Sequence, residues 1–301
     1  MKQVLLIPRV KIHNANALSS PYTIGFPAMS GWLGFMHNLQ RKLNVDFADI
    51  KFTGIAVSCH EITMHTYKSA NDFNYSIVSK RNPMGKNGKP TAFIEEARCD
   101  LEISIAIECE NLNPLTAEKF YQKVDTLLNQ LKIVSGDVLY FNTQKIKVFN
   151  IKEDKDFKNF MRYLMPGFCL VSRQDLMQKE MQQGKDAIDA LLEYLKITTH
   201  IAINKNGEQT KTYGRKEKKG WIVPIALGFQ GISDLSKMQN GRDNQTQHRF
   251  AESVISLGEF IMPYRFDQIE QLFWRYEIDI DKNLYLCKNN FIINNQQESK
   301  L

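Results

Sequence analysis

The chain has 301 residues, 43% of them hydrophobic and 24% charged, with a formal net charge of +6. That length and balance exclude a disordered or fibrous chain and leave ample material for a core, as one large domain or two of ordinary size. The mild basic excess suits a polyanionic partner without requiring one.

The five cysteines, Cys59, Cys99, Cys109, Cys169 and Cys287, are widely spaced and form no CxxC pair. Neither a zinc knuckle nor a redox motif is supported, and reduced core thiols are expected. The first residues lack a signal-peptide h-region, and no apolar run approaches the roughly 18 residues of a membrane span. A cytoplasmic protein with no membrane partner is the expectation.

In chain order, an apolar strand is expected at about 3–12. A loop of small polar and turn-forming residues follows, holding Asn14, Asn16, Ser19 and Ser20 and kept irregular by Pro21, Gly25 and Pro27. Trp32, Met36, Leu39 and Leu43 then fall on one face of an amphipathic helix at about 28–43, which ends in Arg41-Lys42. Phe52–Met64 reads as a strand with Ile55, Val57 and Cys59 on one face. A long basic excursion at about 68–93 comes next, with Lys80, Arg81, Lys86 and Lys89 near its tip. Its length exceeds what a simple hairpin needs, so it is either a projecting arm or a surface loop.

Leu101, Ile103, Ile105, Ile107 and Cys109 alternate strictly, with Glu102, Ser104 and Glu108 facing the other way, as in a half-buried strand. A second helix is marked by Phe120, Val124, Leu127, Leu128 and Leu131, and a last strand by residues near 138–149. The order β-α-β-β-α-β predicts an α+β fold with a ferredoxin-like, RRM-like core, the architecture that RNA-recognition domains use. The second half reads as α-rich, with helical spacing at Ile188–Leu195 and at Phe250, Val254, Leu257 and Ile261. Between these lies a polar loop, residues 204–219, with six basic and two acidic side chains. The expected division is 1–150 for the RRM-like domain and 151–301 for a C-terminal extension of mixed helix and loop packed on it.

Catalytic and metal motifs are mostly excluded. His60-Glu61-Ile62-Thr63-Met64-His65 has one residue too many for HExxH and lies in a strand-like stretch. Asp279, Asp281 and Asn283 begin like a calcium loop, but Leu284 replaces the required glycine and Asn290 the bidentate glutamate. No phosphate-loop, dinucleotide or nucleophile-elbow motif occurs, so no metal or cofactor is expected. Metal-independent RNA cleavage needs a general base and acid, and His13 and His37 flank the polar loop. A guide-processing endoribonuclease is therefore the alternative reading. The binding reading rests on Arg9, Asn14, Asn16, Ser19, Ser20 and Arg41 around the first strand–helix junction. There amides and hydroxyls can read splayed bases and arginines can clamp phosphate.

Several blocks carry a resemblance. Residues 14–41, NANALSSP through GFP to LQR, form the first, and Arg81-Asn82-Pro83 with Ile94–Arg98 the second. Leu164–Arg173, Gly220–Ile225 and the group Gly241-Arg242-Asp243, His248–Glu252, Leu257–Glu259 complete the set in order. Together they resemble the Cas-five-like subunit family of the type I-F CRISPR surveillance (Csy) complex. The resemblance implies that the excursion is a projecting thumb hairpin. It implies a non-catalytic, RNA-binding subunit that holds the 5′ handle of the crRNA at the tail of the complex for antiviral defence. The partners implied are the large subunit and the adjacent backbone subunit, with target DNA met only through the assembled complex. On that frame Arg81 and Lys86 on the thumb, and Arg242 and Arg249 beside a helix begun by Phe250 and Val254, join the RNA-binding set.

Overall fold

A computed structural model describes residues 2–78, 80–81, 84–94, 96–113, 116–203, 209–214, 220–237, 243 and 245–291. Its centre is one eleven-stranded sheet. In chain order the strands are β1 (Lys2–Asn16), β2 (Lys51–Met64), β3 (Arg98–Glu110), β4 (Lys132–Ile133), β5 (Gly136–Tyr140), β6 (Lys147–Ile151), β7 (Phe168–Ser172), β8 (Trp221–Gly231), β9 (Ala251–Ile261), β10 (Trp274–Asp279) and β11 (Leu284–Asn289). The spatial order is β4-β5-β1-β3-β2-β7-β9-β8-β11-β10, with β6 also paired to β1, and the pairings are antiparallel. The last strand returns to the middle: Trp274 of β10 pairs with Ile55 of β2. Six strands, β2, β7, β9, β8, β11 and β10, thus close into a ring, which leaves few free strand edges.

Among the described residues five helices accompany the sheet: α1 (Met29–Leu43), α2 (Ala117–Leu128), α3 (Asp154–Arg162), α4 (Gln174–Gln182) and α5 (Ala187–Leu195). The predicted stripe of α1 is its buried face, with Met29, Leu33 and Phe35 widening it, and Pro27 fixes the approach by accepting a hydrogen bond from Trp32 Nε1. That stripe, with Phe120 and Val124 of α2, packs on Leu5, Ile7, Ile55, Val57 and Cys59 of the sheet. On the opposite face Val4, Leu6 and Ala56 meet Phe157 and Phe160 of α3 and Leu272-Phe273. Full burial of such side chains contributes about 1.5–3 kcal/mol each. All five cysteines are buried free thiols. Among the described residues no helix is long and apolar enough to cross a membrane.

The expected ferredoxin-like, RRM-like βαββαβ core with an α-rich C-terminal extension is overturned. The strands and helices read in the first half are present, but their sheet does not end at β2. It continues through β7 and β9, and five of the eleven strands lie beyond residue 160. The misreading has a physical source in β9. Phe250, Val254, Leu257 and Ile261 have helical spacing, yet Ser256–Ile261 are all buried, and a strand covered on both faces loses the alternation that would identify it. β3 shows the same effect: Ser104 and Glu108 are buried, because α3 and the C-terminal strands cover the face expected to meet solvent. The single strand expected near 138–149 is two, β5 and β6, separated by a 3-10 turn at Thr143–Lys145. In the polar stretch 204–219 the described part, Gln209–Gly214, is a strand paired with Thr198–Ile203.

Candidate nucleic-acid interface

Two bulges in β1 decide where its polar residues go. Its register with β3 shifts between Ile7 and Val10 and again between Ile12 and Ala15. Arg9 and Asn14, one in each bulge, have φ of 54° and 60°. For non-glycine residues this left-handed backbone is costly, and such residues cluster where a side chain must be re-aimed.

Arg9 is turned into an internal network. Its Nη1 donates to Glu102 at 2.9 Å and its Nη2 reaches the Met165 and Pro166 carbonyls at 3.4 Å. Its backbone N–H donates to Ser104 Oγ at 3.1 Å. The Ser104 hydroxyl lies 2.7 Å from His60 Nε2, and His60 Nδ1 lies 2.6 Å from the Pro166 carbonyl. A carbonyl only accepts, so Nδ1 carries the hydrogen and Nε2 accepts from Ser104. Burial, reinforced by the Arg9 charge, pushes the His60 imidazole below its ordinary pKa, although the bond to Pro166 opposes this.

Asn14 lies at a second cluster. Its N–H donates to Asp100 Oδ1 at 2.9 Å, and its carbonyl accepts from Arg98 Nη1 at 3.3 Å. The same Asp100 oxygen lies 2.8 Å from His13 Nδ1 and 2.9 Å from His65 Nε2. Burial opposes the charge on Asp100. The bonds from the Asn14 N–H and His65 outweigh it and hold the carboxyl below the usual range.

The remaining predicted residues are scattered. Asn16 Oδ1 accepts from the Leu18 N–H, closing its own turn. Ser19 and Ser20 both bond Thr23 within a short hairpin, and Ser20 is buried there. Arg41 is exposed in the last turn of α1, about 18 Å along the axis from Met29 at 1.5 Å per residue. Arg81 lies in a short ladder where Lys80–Arg81 pairs with Phe93–Ile94, and Lys86 is exposed in the turn between them. Arg249 is half-buried, its Nη1 bound to Asn283 Oδ1, and it precedes strand β9 where a helix was expected. Arg242 lies outside the described residues. The structure thus brings Asn14 together with His13, His65 and Asp100, and joins neither Arg41 nor Arg249 to them through a described contact.

Two features escaped the sequence reading. His65 and Asp100 lie 35 positions apart, and the pairing of β2 with β3 makes them neighbours. The excursion also carries exposed aromatics: Phe73 is 95% exposed and Tyr75 71%, with Tyr67 beside them in a ladder of Thr66–Tyr67 against Ser76–Ile77. Lys68 Nζ sits 5.6 Å from the Tyr75 ring centroid. The signal was available in Tyr67-Lys68 and Phe73-Asn74-Tyr75, aromatic residues in a segment otherwise polar.

Comparison with known proteins covers the whole of this architecture. A family model described as CRISPR-associated protein (Cas_Csy2) matches residues 5–287, from within β1 to within β11. CRISPR-associated protein Csy2 of Pseudomonas aeruginosa (strain UCBPP-PA14) is 30% identical over 307 residues, covering 94% of each chain. Because the match spans both halves of the sheet and the excursion between β2 and β3, the chain belongs to the Csy2 family of CRISPR-associated proteins.

Proposed function

We propose that this chain is a non-catalytic, Cas-five-like subunit of a type I-F CRISPR effector complex, and that it binds the 5′ handle of the crRNA. It pairs with the large subunit at the tail of the complex and abuts the adjacent backbone subunit, while guide pairing alone reads the target DNA. Family membership supports the assembly. The observation that carries RNA binding is the excursion between β2 and β3, which presents Phe73 and Tyr75 to solvent next to Lys68, with Lys86 exposed further along. Aromatic faces for stacking and cations for phosphate are what a single-stranded nucleic acid requires. Asn14 and Arg41, with Arg81, Arg242 and Arg249, supply further polar and basic positions, whereas Asn16, Ser19 and Ser20 act by holding the turn before α1.

The endoribonuclease alternative paired His13 with His37. In the structure His13 is bound to Asp100 next to His65, and His37 is an exposed residue of α1.

The test is binding of labelled guide RNA to the chain co-purified with its large subunit, comparing an intact 5′ handle with a scrambled one of equal length. Preference for the intact handle with RNA recovered uncut supports the reading. Equal binding reduces the subunit to a basic scaffold, and shortened RNA restores the ribonuclease.

A further inference from the structure

Three adjacent strands each deliver one metal-ligating side chain to the same point, and RNA binding uses none of them. His13 comes from the second bulge of β1, Asp100 from β3 beside it, and His65 from the position after the last residue of β2. Their donor atoms, one from each residue, all lie within 4.8 Å of one another. We propose that His13, His65 and Asp100 form a binding site for one zinc-class divalent transition-metal ion at the root of the 66–97 excursion.

The donor set specifies the class. Two imidazoles and one carboxylate suit zinc, cobalt, nickel or copper, whereas magnesium and calcium favour oxygen alone. Metal–ligand bonds of about 2.0–2.2 Å in a tetrahedral arrangement place neighbouring donors about 3.3–3.6 Å apart around the ion. The two nitrogen–oxygen separations here, 2.8 and 2.9 Å, reach that spacing by opening about 0.4–0.8 Å. The rings already converge. His13 and His65 stand two strands apart, about 10 Å at the backbone, yet their ring centroids are 5.8 Å apart.

The nitrogens facing Asp100 carry hydrogens in the metal-free arrangement. A metal-bound imidazole carries its hydrogen on the ring nitrogen that does not ligate, so the nitrogens facing Asp100 assign ligation to His13 Nδ1 and His65 Nε2. The Asn14 N–H, 2.9 Å from the same Asp100 Oδ1 that faces both imidazoles, fixes that oxygen in place, the supporting hydrogen bond that metal-site carboxylates use. Three protein ligands leave at least one position for water or a ligand oxygen. The consequence is mechanical: the ion ties His65, where the chain leaves β2 for the excursion, to β1 and β3.

The experiment is titration of the tag-free full chain with Co²⁺, read by visible absorption, followed by displacement with Zn²⁺. One Co²⁺ per chain with d–d bands, displaced by zinc, is expected. His65→Ala and Asp100→Asn should weaken binding by about 100-fold or more, since loss of even a supporting partner costs up to that much. His37→Ala, away from the site, should leave binding unchanged. Circular dichroism monitors folding. Should the Asp100 variant unfold, His13→Gln at its exposed position gives the same reading. Absence of stoichiometric Co²⁺ binding overturns the proposal, as does binding unaltered in the folded variants.

Discussion

Glu108 of β3 and Arg275 of β10, 167 positions apart in sequence, are joined by a bond of 2.5 Å from Nη2 to Oε2. The same carboxylate accepts from Thr53 Oγ1 at 2.7 Å and lies 3.0 Å from Lys2 Nζ, which reaches Glu270 at 2.8 Å. A single nearly buried charge therefore couples the first strand, the middle of the sheet and the strand that closes the ring. Burial disfavours the charge on Glu108, but the bonds from Thr53, Lys2 and Arg275 outweigh it and hold its pKa below the ordinary 4.5.

Glu108→Gln should destabilise the protein by about 2 kcal/mol at neutral pH. A fully buried pair broken on one side costs about 3–5 kcal/mol, and the lower figure reflects partners, Lys2 and Arg275, that are each about a third exposed. A carboxylate with a depressed folded pKa stabilises fully above its unfolded value, and that contribution is lost as pH falls through the folded value. The gap between parent and variant in urea unfolding should therefore be constant above about pH 4.5 and narrow as the pH falls below it. Equal stability at neutral pH would remove the network as a stabilising element.

His60 has the same sign at a higher pH. Its folded pKa lies below the ordinary 6.5, so above that value both states are neutral and stability does not depend on this group. As pH drops below about 6.5 the unfolded chain takes up the proton first, and stability declines until the folded value is passed. The parent should thus lose more stability between about pH 7.5 and about pH 5.5 than His60→Gln does. Equal losses in the two proteins, measured by urea midpoints, would show that the link from Ser104 to Pro166 does not depend on a neutral imidazole.

How far the sequence could be read depended on whether an element keeps its period. α1 was legible because the face opposite Trp32, Met36 and Leu39 is polar, and β2, although buried on both faces, because bulky Ile55, Val57 and Cys59 alternate with small Ala56 and Ser58. β9 was not, because burial on both faces erased its period. The closure of Trp274 onto Ile55 leaves no local signal at all, since it depends on strands more than 200 positions apart. At the candidate site, Asn14 was singled out for its amide, but its described contacts run through its backbone in a bulge. His65 was dismissed within a failed helical motif, when its partner lay across a strand pairing that no spacing rule records.

Two glycine substitutions separate backbone strain from collision. Gly25 has φ of 154° with nothing within 4 Å of an added Cβ, whereas Gly228, φ 147°, would place a Cβ 2.1 Å from the Tyr285 carbonyl oxygen. Gly25→Ala should cost about 1 kcal/mol, the strain alone, and Gly228→Ala about 4 kcal/mol or more, because β8 must separate from β11 at its bulge. Thermal or urea unfolding of both variants gives the comparison. Equal costs would mean that the β8–β11 contact yields freely.

Phe73 and Tyr75 test the RNA reading without disturbing the fold. Both are largely exposed, so the double substitution Phe73→Ala with Tyr75→Ala removes little packing and should leave the urea midpoint within about 0.5 kcal/mol of the parent. Stacking of a base on an aromatic ring contributes about 1–3 kcal/mol, so losing both rings should weaken guide RNA binding by the chain with its large subunit about 30-fold or more. The loss should be similar at low and high salt, because no charge is removed. Lys68→Glu with Lys86→Glu should instead flatten the salt dependence, since each phosphate contact releases counterions. Unchanged affinity in the aromatic variant, with the salt slope altered by the lysine variant, would assign the excursion to the RNA backbone and not to its bases. Unchanged behaviour in both would take the excursion off the RNA path altogether.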